Sequence, residues 1–160
     1  MMVRLKGGSG LERRKVLKIL FWIYCPVMLA LLFWRTRLQG PEPYWEKVES
    51  LLNPVPFETT TMYIKVLIDW DIKYVQTAII NLVGNLIMFV PLGMFLPGLF
   101  LKLRRWWRVL LTGAGIIVLV EAGQMLTLLG TCDMDDLILN TVGILLGYWL
   151  WHRTEKKRAA

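Results

Sequence analysis

Apolar residues along this chain gather into four runs separated by basic, acidic or Pro-rich stretches. The first run, residues 16–34, is interrupted only by Lys18, and its length suits a bilayer-spanning helix of roughly 20 residues. A basic lead before an apolar run also begins a signal peptide, but the exit through Trp34, Arg35, Thr36 and Arg37 has no small-residue cleavage pattern, which favours an uncleaved helix. Pro26 removes a backbone donor in mid-run and predicts a bend there. The second run, residues 75–101, contains Asn81, Gly84, Asn85, Pro91, Gly93 and Pro97 and is long enough to tilt or kink. The third, residues 109–129, and the fourth, residues 137–151, flank a short acidic turn, and the fourth is short for a span unless it begins near Asp133. The pattern predicts an all-α fold, a polytopic membrane bundle of about four transmembrane helices.

A long polar loop, residues 35–74, separates the first two runs and carries Pro41, Pro43, Pro54 and Pro56 as breakers. Short helices are expected in it, one over Tyr44–Leu52 and one over Tyr63–Trp70, the second lying along the membrane surface. Residues 1–15 are short, basic and Gly-containing, so no fold is assigned to them. The domain organisation is therefore a basic tail at 1–15, one membrane domain at 16–152 and a second basic tail at 153–160.

Composition agrees, with 56% hydrophobic residues, above what a soluble domain of this size usually buries. The net charge of +7 could indicate nucleic acid, yet the basic residues cluster between apolar runs and line no amphipathic face, so they are read as topology signals and no nucleic-acid partner is expected. Lys102, Arg104, Arg105 and Arg108 form the clearest cytoplasmic marker. With both basic tails they predict a multi-pass cell-membrane protein with both termini in the cytoplasm and residues 35–74 and 130–136 outside, with Arg35 and Arg37 in mild dissent. Many of the eight Trp residues lie near the ends of the apolar runs, at headgroup level. Cys25 and Cys132 are expected as free thiols, since a bridge would require one run to sink.

The polar residues inside the runs carry the functional question. A charge at the bilayer centre costs roughly 2.5–3.5 kcal/mol on insertion scales, so Glu121 is a candidate site residue, with Gln124 one turn above it. Asp136, Asn140, Gly143 and Gly147 share one helical stripe, and Asn81, Gly84 and Asn85 form another. A packing seam, in which glycines allow close approach and amides bond across it, explains the glycines well. Two carboxylates exceed what a seam needs, although a protonated Glu121 bonded to Asn81 or Asn140 would also be satisfied. All these groups fall in the outer half of the membrane, which predicts a polar pocket open to the exterior or the outer leaflet, with Asn81, Asn85, Glu121, Gln124, Asp133, Asp136 and Asn140 as its ligand-binding residues. A weak parallel repeat aligns Ile79, Asn81, Val83, Gly84 and Leu86 with Ile138, Asn140, Val142, Gly143 and Leu145; chance similarity of apolar segments is an equal alternative.

The segments NLVGNLIMFVPLGMFLP at 81–97 and EAGQMLTLLGTCDMDDLILNTVGILLG at 121–147 resemble the two signature blocks of VanZ-like membrane proteins, and NPVPFETT at 53–60 is similar to a shorter block before them. The resemblance implies a bacterial membrane protein of a family in which some members are linked to resistance against lipid-bearing glycopeptides such as teicoplanin; it supplies no settled molecular activity. Many relatives have Arg where this chain has Gly130, although the family's teicoplanin-resistance member is similar in carrying Gly there. Asp133, Asp135 and Asp136 must then find other partners, such as a cation, a ligand or solvent.

Two functions follow from these residues. In the first, the pocket binds a membrane lipid, a cell-wall precursor or a lipoglycopeptide. In the second, the chain is an enzyme acting on an outer-leaflet lipid or cell-wall group, with Glu121 as acid or base and Asp136 as its partner. The lone His152 lies in a basic tail, so neither a Ser/His or Cys/His pair nor a zinc site is expected, and no cofactor is implied. A transporter is a third reading, and with four spans it would require a homo-oligomer.

Overall fold

The structure, a computed structural model, describes residues 6–34 and 39–159 and is 82% helical. Helix α1 covers Lys6–Phe33, α2 covers Tyr44–Ser50, and α3 covers Glu58–Ile68. Helix α4, Ile72–Ile79, runs through a π-helical turn at Ile80–Gly84 into α5, Asn85–Leu99. Helix α6 is Trp106–Leu126 and α7 is Met134–Ala159. Two short strands, β1 at Leu52–Asn53 and β2 at Cys132–Asp133, pair in parallel.

Both long terminal helices exceed their sequence-predicted bounds. Helix α1 already begins at Lys6, inside the stretch to which no fold was assigned, and α7 continues through the second basic tail to Ala159. One physical cause is an ion pair between Arg13 of α1 and Glu155 of α7, which ties the two basic segments together. Residues 1–5, Arg35 and Arg37 lie outside the described residues. Helix α1 continues through Pro26. The helix expected over Tyr44–Leu52 forms as α2, and α3 starts earlier than the one expected over Tyr63–Trp70. The entry to α4 is capped by Asp71, whose Oδ1 accepts from the Lys73 N–H at 3.2 Å.

Among the described residues, three helices are long and apolar enough to cross a membrane: Leu11–Phe33, Ile72–Leu99 and Trp106–Leu126. The sequence pattern suggested four; α7 drops out because Asp135, Asp136 and Asn140 near its start and a basic end dilute its apolar stretch. Outward-facing apolar side chains are abundant, among them Trp22, Leu31, Leu111 and Leu119, each more than 60% exposed. Such belts call for a hydrocarbon solvent.

The core is centred on Phe89, Val109, Ile117 and Ile144, all fully buried, where α5, α6 and α7 meet. Helices α5 and α7 run parallel at very short range. A Cβ added to Gly143 would collide with the Leu86 carbonyl, one on Gly147 with that of Val90, and one on Gly93 with that of Ile144. Glycine is required at these positions because backbone faces backbone across the seam. Helix α1 joins the core through Met28 and Leu32, and its Tyr24 hydroxyl donates to the Met88 carbonyl at 2.8 Å.

Candidate functional site

Polar groups concentrate where α6 ends, α7 begins and the π-turn interrupts the second long helix. Thr127 and Leu128 close α6, with Leu128 at φ 60°, and the chain returns as β2, where the Cys132 N–H donates to the Leu51 carbonyl at 2.8 Å. This brings residues 53–60 against the acidic turn. Asp133 Oδ1 accepts from the Asp135 N–H at 2.8 Å, capping α7, while Oδ2 accepts from Thr59 Oγ1 at 2.6 Å and from Asn53 Nδ2 at 3.2 Å. Asp135 reaches the amino end of α3: its Oδ1 accepts from the Phe57 N–H, and its Oδ2 from the Thr60 N–H at 2.7 Å. Phe57 has a left-handed backbone, φ 65°, and a side chain that cannot accept, so Asp135 supplies the cap that α3 lacks, with its charge at the positive end of the helix dipole.

Asp133 and Asp135 are thus buried and engaged in fastening one loop to another, at 6% and 2% exposure. Their partners are amide, hydroxyl and backbone donors, where the sequence reading left a cation, ligand or solvent open. Among the described residues, no three His, Cys, Asp or Glu side chains gather as a metal would require. Sequence reasoning missed the roles of Asn53, Thr59 and Asp135. The available signal was the absence of any Ser, Thr, Asp or Asn just before Glu58, which left a helix start in need of an acceptor from elsewhere.

Beside this clamp lies a groove of about 630 Å³ between α1 and the α4–α5 helix. Tyr24, Met28, Leu31 and Trp34 form one wall, and Ile80, Val83, Ile87 and Pro91 form the other. Asn81, Asn85, Glu121, Gln124 and Asp136 supply its polar part. The π-turn separates the two amides that the sequence put on one stripe. Asn81 turns back onto its own helix, donating to the Thr77 carbonyl at 2.8 Å, whereas Asn85 donates to Asp136 Oδ1 across the seam to α7. An extra residue in one helical turn produces such a change of direction, and these turns are frequent at functional sites.

Gln124 Nε2 donates to the Leu32 carbonyl at 2.7 Å. That carbonyl belongs to the last turn of α1, where no intrahelical donor remains, so Gln124 both borders the groove and caps its wall. Glu121 is 4% exposed and borders two spaces, the groove and a cavity of about 200 Å³ that Asn53, Pro54, Cys132 and Asp133 help to line. Burial raises the Cys132 thiol above its ordinary pKa, and the nearby Glu121 and Asp133 push it further in the same direction. Cys25 and Cys132 are both free thiols.

Five of the seven predicted ligand-binding residues therefore meet at the groove: Asn81, Asn85, Glu121, Gln124 and Asp136. Asp133 belongs to the clamp and the smaller cavity. Asn140 is sealed in the protein interior at 1% exposure, borders neither space, and its Oδ1 has no hydrogen-bond partner among the described residues. The contribution of α1 to the groove was not foreseen, because Tyr24 and Trp34 read as ordinary members of an apolar run.

No curated protein and no solved structure matches the chain. The family model described as VanZ/LLP1 matches residues 21–154, a stretch that includes the groove, the clamp and the seam between α5 and α7. The chain belongs to the VanZ/LLP1 family, and its apolar helices mark it as a membrane protein.

Proposed function

We propose that the groove binds an amphiphile of the cell envelope, a lipid, a lipid-bearing cell-wall precursor or a lipoglycopeptide such as teicoplanin, and so protects a bacterial cell from the antibiotic. The observation that carries this reading is the groove's composition: long apolar walls from α1 and α5 lead to Asn85, Asp136, Glu121 and Gln124. Hydrocarbon fits the walls, and a headgroup with both donors and acceptors fits the amides and carboxylates.

The reading includes four membrane crossings with both termini cytoplasmic, so that the groove opens toward the outer leaflet. Helix α7 supports the fourth, because it lies parallel to the apolar α5 from Asn85–Asp136 through Gly143 and Gly147 to Trp151 beside Gly98. That shared course along α5 is what supports a fourth crossing. The basic stretches at Lys102–Arg108 and 153–158 support the orientation.

The test is resistance in cells. Cells expressing the chain tolerate more teicoplanin than cells without it, while tolerance to a glycopeptide lacking the acyl chain is unchanged. Met88→Trp, which fills the groove, abolishes the gain at normal membrane expression. Retained resistance in that variant overturns the groove as the site. A new product from labelled outer-leaflet lipids, lost in Glu121→Gln, would move the reading from binding to catalysis.

A further inference from the structure

A second cavity lies at the opposite, basic end of the bundle and plays no part in the groove. It holds about 210 Å³ and is lined by Arg13, Arg14 and Leu17 of α1, Gly98 and Leu101 near the end of α5, Arg104 before α6, and Trp151 and Glu155 of α7. Three guanidinium groups from two separate chain segments thus face one carboxylate. That carboxylate, Glu155, forms an ion pair with Arg13. Arg14 donates through Nη2 to the Leu99 carbonyl at 3.0 Å, at the carboxyl end of α5, and Arg104 stands over the Trp151 ring at 5.9 Å. Each of these geometries engages only part of a guanidinium, which has five N–H donors.

The remainder of the cavity is apolar. Leu17, Leu101 and the indole of Trp151 form its walls, with Gly98 beside that indole. Excess positive charge at the level of Trp residues, continuous with apolar helix surface below, suits a ligand that is anionic at one end and hydrocarbon at the other. The planar Arg fork pairs with two oxygens of one anion at once, a match that phosphate offers, and phosphate is the anion that membrane lipids carry at headgroup level.

We propose that this cavity is a binding site for the phosphodiester headgroup of an anionic glycerophospholipid in the leaflet at the basic end, with Arg14 and Arg104 as its phosphate ligands and Leu101 and Trp151 against the glycerol and upper acyl chains. Arg13 and Glu155 hold α1 against α7 and keep the cavity open.

Full-length protein in nanodiscs tests the site, read as retention of phosphatidylglycerol relative to phosphatidylcholine by native mass spectrometry. Wild-type protein retains the anionic lipid preferentially. Each of Arg14→Gln and Arg104→Gln removes a charge-assisted hydrogen bond to the headgroup and reduces that preference about tenfold, and the pair together by roughly 100-fold. Arg153→Gln, which removes an equal charge on α7 beside Trp149, leaves it unchanged. Leu101→Trp keeps every charge and fills the cavity from an exposed position; it also abolishes the preference, which guards against misfolding as the cause. No preference in the wild type, an unchanged preference in the double variant, or an equal loss in Arg153→Gln overturns the site. Complete displacement of the lipid by millimolar inorganic phosphate assigns the site to free phosphate and overturns the lipid assignment.

Discussion

The carboxylate of Asp135 accepts the backbone N–H of Thr60 at 2.7 Å, from a position 75 residues later in the chain. A helix start without its own cap is thereby completed by the first turn of the last helix. In Asp135→Asn the amide must place its donor against either the Phe57 or the Thr60 N–H. Loss of one charge-assisted bond at a site 2% exposed is expected to cost about 1–3 kcal/mol. Thermal unfolding in detergent, with proteolysis of the 53–60 segment as a local readout, checks this. An unchanged melting temperature and an unchanged cleavage rate would refute the capping role.

Cys132 reports on Glu121. Alkylation follows the thiolate, and burial first, then the charges of Glu121 and Asp133, hold this thiol above its ordinary pKa. In a Cys25→Ser background, maleimide labelling is therefore slow at neutral pH and accelerates only above the usual thiol range. Removing a neighbouring negative charge makes the thiolate less costly, so Glu121→Gln shifts the labelling profile to lower pH. A profile that stays in place shows that Glu121 does not act on Cys132 as a charge.

Some glycines face a backbone, others face side chains, and Gly115 faces open space. Gly147→Ala drives a methyl into the Val90 carbonyl and is expected to destabilise by about 1–3 kcal/mol through overpacking. Gly115 has no heavy atom within 4 Å of its would-be Cβ. Gly115→Ala is expected to stabilise by roughly 0.5–1 kcal/mol through helix propensity alone. Opposite shifts in melting temperature are the signature, and equal shifts would argue against the seam.

Gln124 ties α6 to the end of α1. Gln124→Leu leaves the Leu32 carbonyl without its donor in a buried setting, at a cost of about 1–3 kcal/mol. Because α1 forms one wall of the groove, the same change is expected to speed hydrogen exchange in residues 28–33 while sparing α5 and α7. Exchange that rises uniformly along the chain would show that Gln124 matters to the fold as a whole.

Helix positions and the polar level were legible because they depend on local periodicity. The stripe of Asp136, Asn140, Gly143 and Gly147 was correctly placed on one face, and the glycines do form a seam. Less visible was anything that depends on a partner far along the chain. Asp133 and Asp135 read as candidates for ligand or cation, since nothing near them in sequence announces Asn53, Thr59 or the open start of α3. The π-turn escaped for a different reason. One additional residue per turn leaves no mark on composition, yet it sends Asn81 and Asn85 to different partners and breaks the equivalence that the internal repeat suggested between Asn81 and Asn140.

The bond between Asn53 and Asp133 crosses 80 residues, and this distance has a consequence for biosynthesis. A ribosome working at ordinary speed needs roughly 4–16 s to make a segment of that length. Throughout that interval the 53–60 segment is already made, while the turn that will hold it does not yet exist. A nascent chain truncated before β2 should therefore leave that segment open to protease, and its protection should begin only when the final helix has emerged and joined the others.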